Sequence, residues 1–407
     1  MRRCAYGVGL TCVVLVAAVA LGGDWPQWRG PNRDGISKET GLLKQWPEGG
    51  PKQLWSITTK GKSYAAVSVV GDTIYCTGTQ DKRGVLYALN LGGKIKWQGI
   101  YGSEWTKDRP MSRTTPTIDG GFAYVYSGNG WAACFNVQTG AKVWTVDTLS
   151  RFRGRNIQWG IAESPLVLKD VFICHPGGPD AAVVALDKRS GKPVWTSKDL
   201  SDKSAYCSPL AIHMGSEQQI VTQTENHIVG LDAKTGSVLW KIRQRNRWAV
   251  HPNTPLFFDG LIYISSGYRY GSQLLKLSAD GAEASQVWRE RQLDNHHEGV
   301  LFINGCIYGS GSGSRLLCLD PKDGKVLYRV AEVRKAAIVY AGDRLYAYDE
   351  KGGGVFLVNV SPKGYKIAGK FTVTKGSGPH WAHPVVANGV LYIRHGEVLM
   401  AYDVKEK

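Results

Sequence analysis

The chain has 407 residues and a formal net charge of +16, with 50 Gly, 14 Trp and 19 Tyr against 4 Met and 9 Phe. A hydrophobic fraction of 43% with 10% aromatics excludes a disordered chain. After residue 23 no apolar run approaches the ~18 residues of a membrane span. Glycine is well above the usual ~7% and evenly spread, which points to many tight turns between short strands.

Residues 1–23 read as a secretory signal peptide. Met1-Arg2-Arg3 is a basic start, Tyr6 to Leu21 is largely apolar, and Ala18-Val19-Ala20 offers a cleavage site. Cys12 lies inside the apolar run, so no lipoprotein-type cysteine follows it. The mature chain is therefore expected in the periplasm or outside the cell. Losing Arg2 and Arg3 leaves a charge of +14, which favours a protein partner or an anionic ligand such as an acidic glycan. Export makes nucleic acid an unsuitable partner.

Residues 24–51 form an N-terminal segment that contains Trp25-Pro26-Gln27-Trp28-Arg29-Gly30-Pro31. From residue 52 onward one phrase recurs: a Pro-containing start, a strand with Tyr, then A-L-D-x-x-T-G-K-x-x-W. Its clearest copies run from Ala185-Leu186-Asp187 to Trp195 and from Gly230-Leu231-Asp232 to Trp240. Others end at Trp97, Trp144, Trp288 and Tyr328, and a degraded copy spans Val355 to Phe371. The end-points lie 40 to 51 residues apart, the range of four-stranded propeller blades. Thr115-Pro116-Thr117 and Phe122-Ala123-Tyr124-Val125-Tyr126 exemplify the first two strands of a unit. The last unit has three strands (from His383, Val390 and Val398) and no Trp-bearing fourth. Lys52-Gln53-Leu54-Trp55-Ser56 is a fourth strand without the three before it. Joining them predicts one all-β domain over 52–407: an eight-bladed β-propeller of four-stranded antiparallel blades, closed by the N-terminal strand. Closure removes exposed sheet edges, and a monomer is expected.

This repeat resembles the pyrroloquinoline-quinone (PQQ) type propeller repeat. That family includes quinoprotein alcohol dehydrogenases and the propeller lipoprotein of the outer-membrane barrel assembly machinery. The Trp25–Pro31 stretch is similar to a W-x-x-W-R-G-P found in exported PQQ-like propellers. The resemblance implies that the repeat tryptophans pack between blades. It also implies, as the alternative to a binding or scaffold module, a dehydrogenase holding PQQ with Ca²⁺. The dehydrogenases hold PQQ against a vicinal disulfide, and this chain has no adjacent cysteines and no haem-attachment motif. The expectation is therefore a binding module without a cofactor rather than an enzyme. Cys306 and Cys318 flank a Gly-Ser-Gly turn and are read as small buried strand residues, with a disulfide as the alternative.

The segments leading from each fourth strand into the next first strand carry an unusual composition, and in a propeller they share one face. Arg113, Arg155, Arg247 and His251 lie there, as do His297, Glu298 and His383. Arg supplies paired donors to carboxylate, sulfate or phosphate, and Trp159, Trp248 and Trp381 offer faces for a ring. A metal-assisted enzyme acting on acidic glycans is a further alternative, with His251, His297, His383 and Glu163 as ligands.

Overall fold

The computed structural model describes residues 23–311 and 315–406. The expected signal peptide and most of the Gly-Ser-Gly turn lie outside the described residues. The rest is β-structure apart from one short helix, Thr148–Arg151, whose N-cap Asp147 accepts from the Ser150 amide at 3.0 Å. The strands form six four-stranded antiparallel sheets and one of seven strands. In each four-stranded sheet the strands follow chain order, and first strands of successive sheets touch one another. The chain is an all-β propeller with four-stranded antiparallel blades.

The unit Leu166–Leu168, Val171–Cys174, Val184–Asp187 and Pro193–Thr196 shows why the repeat folds this way. Its two middle strands are buried on both faces, so they read as nearly continuous apolar runs; the outer strand alternates. First strands begin after the proline, not across it: Thr117–Asp119 follows Pro116 and Val385–Ala387 follows Pro384. Proline has no N–H to give to a ladder, so the Thr115-Pro116-Thr117 reading starts two residues early.

The seven-stranded sheet closes the ring. Gln53–Ser63 pairs antiparallel with Val390–Asp403, in one register from Trp55↔Ala401 to Thr58↔Val398, with a shift between Gln53 and Trp55. The first half of Val390–Asp403 pairs with Val385–Ala387, and Gly396 (φ +58°) marks the change of partner. Terminal strands therefore share one sheet, as the orphan fourth strand predicts.

Between sheets, the repeat tryptophans make one contact again and again. The indole Nε1 of Trp97 donates to Val137 O at 2.8 Å, that of Trp144 to Lys188 O at 2.9 Å, and that of Trp288 to Pro321 O at 2.8 Å. Each acceptor belongs to the next unit's T-G turn region. That turn needs Gly for two reasons: Gly191 has φ +70°, and a Cβ there would meet Trp144 Cδ2 at 2.9 Å. A β-bulge follows each residue paired with the Trp, as between Ala185 and Leu186, and turns the strand so that the indole lies over the neighbour. Trp240 departs from the series and donates within its own sheet, to Gln219 Oε1 at 3.2 Å. The degraded unit has no such Trp. Trp46 of the N-terminal segment fills its place, with ring centroids 5.8 Å from Tyr346 and 5.4 Å from Phe371.

Residues Trp25 to Glu39 run through the centre and touch all seven sheets. Trp25 exchanges two backbone bonds with Val69, at 2.7 and 2.9 Å, and Pro26 O accepts from Ile118 N at 2.8 Å. Arg33 donates to the carbonyls of Ser164, Pro165 and Pro209, and Arg29 to that of Val300. Trp28 Nε1 donates to Thr254 Oγ1 at 2.9 Å. Tyr340 N donates to Gly35 O at 2.9 Å, and the Glu39 carboxylate accepts from Asn388 and Gly389 amides. The segment is thus a plug for the channel.

The cysteines Cys306 and Cys318 are free and buried, and Cys318 pairs across its hairpin with Tyr308 rather than with Cys306.

Trp144 is only 8% exposed, and Trp144→Ala should cost about 3–5 kcal/mol in urea unfolding. Gly191→Ala should cost more than ~1 kcal/mol, because φ is positive and the indole is in the way. The double variant should lose less than the two singles together, since the residues touch; strict additivity would contradict the packing described.

Candidate functional site

A cavity of about 340 Å³ opens at the connector end of the channel. Its floor is Trp28, contributed by the plug, and its walls come from the connectors. Trp159 stands with its ring centroid 6.3 Å from Tyr206, and its Nε1 donates to Asp108 Oδ2 at 2.9 Å. Trp381 packs between Tyr64 at 4.7 Å and His297 at 5.3 Å, with the Arg109 guanidinium 5.8 Å from its ring. Tyr268 completes the wall from the loop between second and third strands. Tyr206 (φ +72°), Tyr268 (φ +59°) and Arg109 (φ +55°) all hold left-handed backbone. Such a conformation is costly for bulky residues and persists where the surroundings fix it, often at binding sites.

Arg113 lines the same cavity. One nitrogen, Nη2, donates to Arg109 O, while Nη1 is buried and has no hydrogen-bond partner. Burial pushes the guanidinium's pKa down, so an anion placed beside it would relieve an energetic cost. His383 is packed against Trp28 at 4.5 Å, and its Nε2 donates to His297 O at 2.8 Å. Burial, aided by the charge of Arg29, pushes its pKa down to about 3. Burial likewise holds His296 at about 4 and lowers His297. The cavity's histidines are therefore neutral hydrogen-bonding groups at neutral pH.

Glu298 lies behind this wall. It accepts from the amides of His296 at 2.9 Å and His297 at 3.0 Å. Lys335 Nζ sits 3.1 Å from its Oε1 and 2.5 Å from Glu350 Oε2. Burial would raise the Glu298 carboxyl, but its attraction to Lys335 and, in the acid range where His297 is protonated, to His297 prevails and holds it at about 2. His296, His297 and Glu298 bring ligand atoms within 4.8 Å of one another. However, the Lys335 ammonium already occupies the cation position beside Glu298, and a metal would have to displace it.

The sequence-expected residues divide accordingly. Arg113, Trp159, His297, Trp381 and His383 meet in the cavity. Arg247 and Trp248 line an adjoining pocket of about 280 Å³ with Lys203 and Arg245. There Arg247 lies 4.8 Å from the Trp248 ring, which is 6.2 Å from Trp159. Arg155 points elsewhere, donating to Ser201 O at 2.6 Å. His251 is fully buried with Nδ1 2.7 Å from Ser266 Oγ, and Glu163 is sealed against His175. The set His251, His297, His383 and Glu163 is thus not assembled around one point. Trp28, Tyr64, Tyr206, Tyr268 and Lys335 were not foreseen, although Tyr64 and Tyr206 shared the signal of an aromatic residue just ahead of a first strand.

A family model described as outer membrane protein assembly factor BamB matches residues 82–330. The chain belongs to this PQQ-repeat propeller family. It is 24% identical to the BamB of Kangiella koreensis over 221 residues, 53% of this chain and 50% of that one. It therefore spans about half the length of the curated relative it matches. Among solved structures, BamB from Moraxella catarrhalis aligns with a TM-score of 0.64 at 18% identity, covering 87% of this chain and 99% of that one. The quinohemoprotein alcohol dehydrogenase ADHIIG from Pseudomonas putida aligns with a TM-score of 0.67 at 12% identity, covering 95% and 81%. These likenesses carry the fold.

The residues present do not suit PQQ with Ca²⁺. Asp108 is the one carboxylate lining the cavity, and it is engaged by Trp159. Glu298 and Glu350 are both engaged by the Lys335 ammonium, and no adjacent cysteines exist to cover the ring.

The lowered His383 pKa has a signed consequence. Between its ordinary 6.5 and about 3, the unfolded chain takes up a proton that the folded chain refuses. Its contribution to stability is thus complete above pH 6.5 and is lost as pH falls toward 3. His383→Gln should flatten the stability–pH curve across that window in urea titrations. An unchanged slope would show that His383 is not held neutral.

Proposed function

We propose that this chain is an exported, non-catalytic binding module that docks a protein partner of the envelope through its connector face. The observation that carries this reading is the convergence of connector aromatics and arginines around an open cavity and its basic neighbour on one end of the ring. Membership of the BamB family supports a scaffold or protein-binding role in outer membrane assembly. Among the described residues no helix is long and apolar enough to cross a membrane, so attachment to an envelope assembly would rest on partners or on segments outside the described residues.

The basic side pocket suits an acidic partner surface. Arg245 and Arg247 are exposed, and Trp248 is 38% exposed beside them. Exposed aromatic and arginine side chains of this kind dominate binding energy at interfaces. Long-range charge attraction speeds association and is weakened by salt.

The test is co-purification of tagged protein with the barrel-assembly components of its own host. Arg247→Glu with Trp248→Ala should lower recovery about tenfold or more, and raising salt should lower that of the unaltered chain. Lys234→Glu with Lys322→Glu, on turns at the other end of the sheets, should change nothing. Recovery lost only with the turn variants would overturn the assignment of the docking face.

A further inference from the structure

We propose that the axial cavity is a sugar-acid site: it takes a pyranose ring bearing a carboxylate, with Arg113 as the carboxylate anchor. This deepens the reading of the connector face as a binding surface and rests on it, yet concerns the cavity alone.

Size and shape come first. A volume of about 340 Å³ lies at the small end of ligand pockets and suits one or two rings. Trp28 of the plug is among the lining residues, and the site is sized for a free small molecule or a chain end. The rings of each aromatic pair lie against one another, tilted by 51° for Tyr64 and Trp381 and by 39° for Trp159 and Tyr206, so neither pair leaves a parallel-sided slot between its rings. A flat ring system needs parallel faces to stack on both sides. A puckered sugar presents C–H groups in several directions, and tilted aromatic faces receive them while excluding water.

Polarity comes second. Hydroxyl groups need neutral partners that both donate and accept, and the neutral imidazoles of His296 and His297 at the wall are of that kind. The Tyr206 hydroxyl, which accepts from Trp159 N at 3.3 Å, is another.

Charge comes third. Arg113 has a buried Nη1 with no partner. An unpaired buried donor is costly, and a ligand carboxylate supplies what the protein does not. The cavity carboxylate Asp108, tied to Trp159 and 3.8 Å from Arg109 Nε, and the buried Glu104 act on Arg113 through their charge, but neither gives its Nη1 a hydrogen bond. A neutral sugar would leave that donor unmet, and specificity for the acid follows.

Tryptophan fluorescence and calorimetric titration of the full chain would use galacturonate, its trimer, the matching neutral galactose trimer, 4-hydroxybenzoate and PQQ. The acid sugar should bind about tenfold or more tightly than the neutral one. Arg113→Met, checked for folding by its thermal transition, should erase that preference while leaving the neutral sugar unchanged. Trp381→Ala should weaken both. Equal affinity for monomer and trimer would identify a free sugar acid, and tighter trimer binding a polysaccharide end; both support the site. Four results would overturn it: no acid-sugar binding, equal binding of acid and neutral sugars, an Arg113→Met variant with unaltered preference, or binding of 4-hydroxybenzoate or PQQ tighter than any sugar acid. Any of these with intact partner recovery would leave the docking reading standing. Acid-sugar binding without partner recovery would separate them the other way.

Discussion

The guanidinium of Arg33 inside the channel is the interaction on which the rest of this architecture depends. The first strands Leu166–Leu168 and Leu210–Met214 begin after Pro165 and Pro209, so the carbonyls around Ser164, Pro165 and Pro209 face the axis without a ladder partner from the preceding residue. Buried carbonyls must be satisfied, and a planar guanidinium with several donors can serve more than one strand at once. Arg33 is 1% exposed and bonds to three such carbonyls from two sheets. Burial pushes its pKa down to about 9, and that of Arg29 to about 10. Both stay charged at neutral pH.

Around the ring a second, weaker rule repeats. Each indole spans to the next unit's turn, where glycine leaves room for it. The plug and the indole girdle act in different directions: one ties the sheets at the axis, the other ties neighbours near the rim. Trp46 shows the two systems meeting, because the plug's own continuation repairs the unit that lacks its tryptophan.

Much of the fold was legible in the sequence because the repeat couples chemistry to spacing. The T-G turn, the Trp four residues or so later and the orphan Trp55 strand each have one sensible place in a closed ring. The role of Trp25–Glu39 was not legible. A single copy of Trp-Arg-Gly-Pro has no periodicity, and the segment's partners lie up to 350 residues away, as Glu39 and Gly389 do. The cavity was half legible: Arg113, Trp159, His297, Trp381 and His383 are connector residues and were found by composition. Glu298 was placed in the right element, but its partner Lys335 ends the next connector, just ahead of Ala336–Ala341, 37 residues further along the chain. His251 and Glu163 failed because equal offsets along the chain do not mean equal distances from the axis. Their side chains turn into the blades, toward Ser266 and His175.

The floor of the candidate site is a product of the plug, since Trp28 adjoins Arg29 in the same turn. Structure and site therefore share one cause. Hydrogen exchange of the full chain carrying Arg29→Met and Arg33→Met tests that claim most directly. Rapid exchange is expected at the amides of Trp25, Val69, Ser37 and Tyr340, which bond across the plug, with the outer ladders still protected. Unchanged protection at those four amides would contradict it.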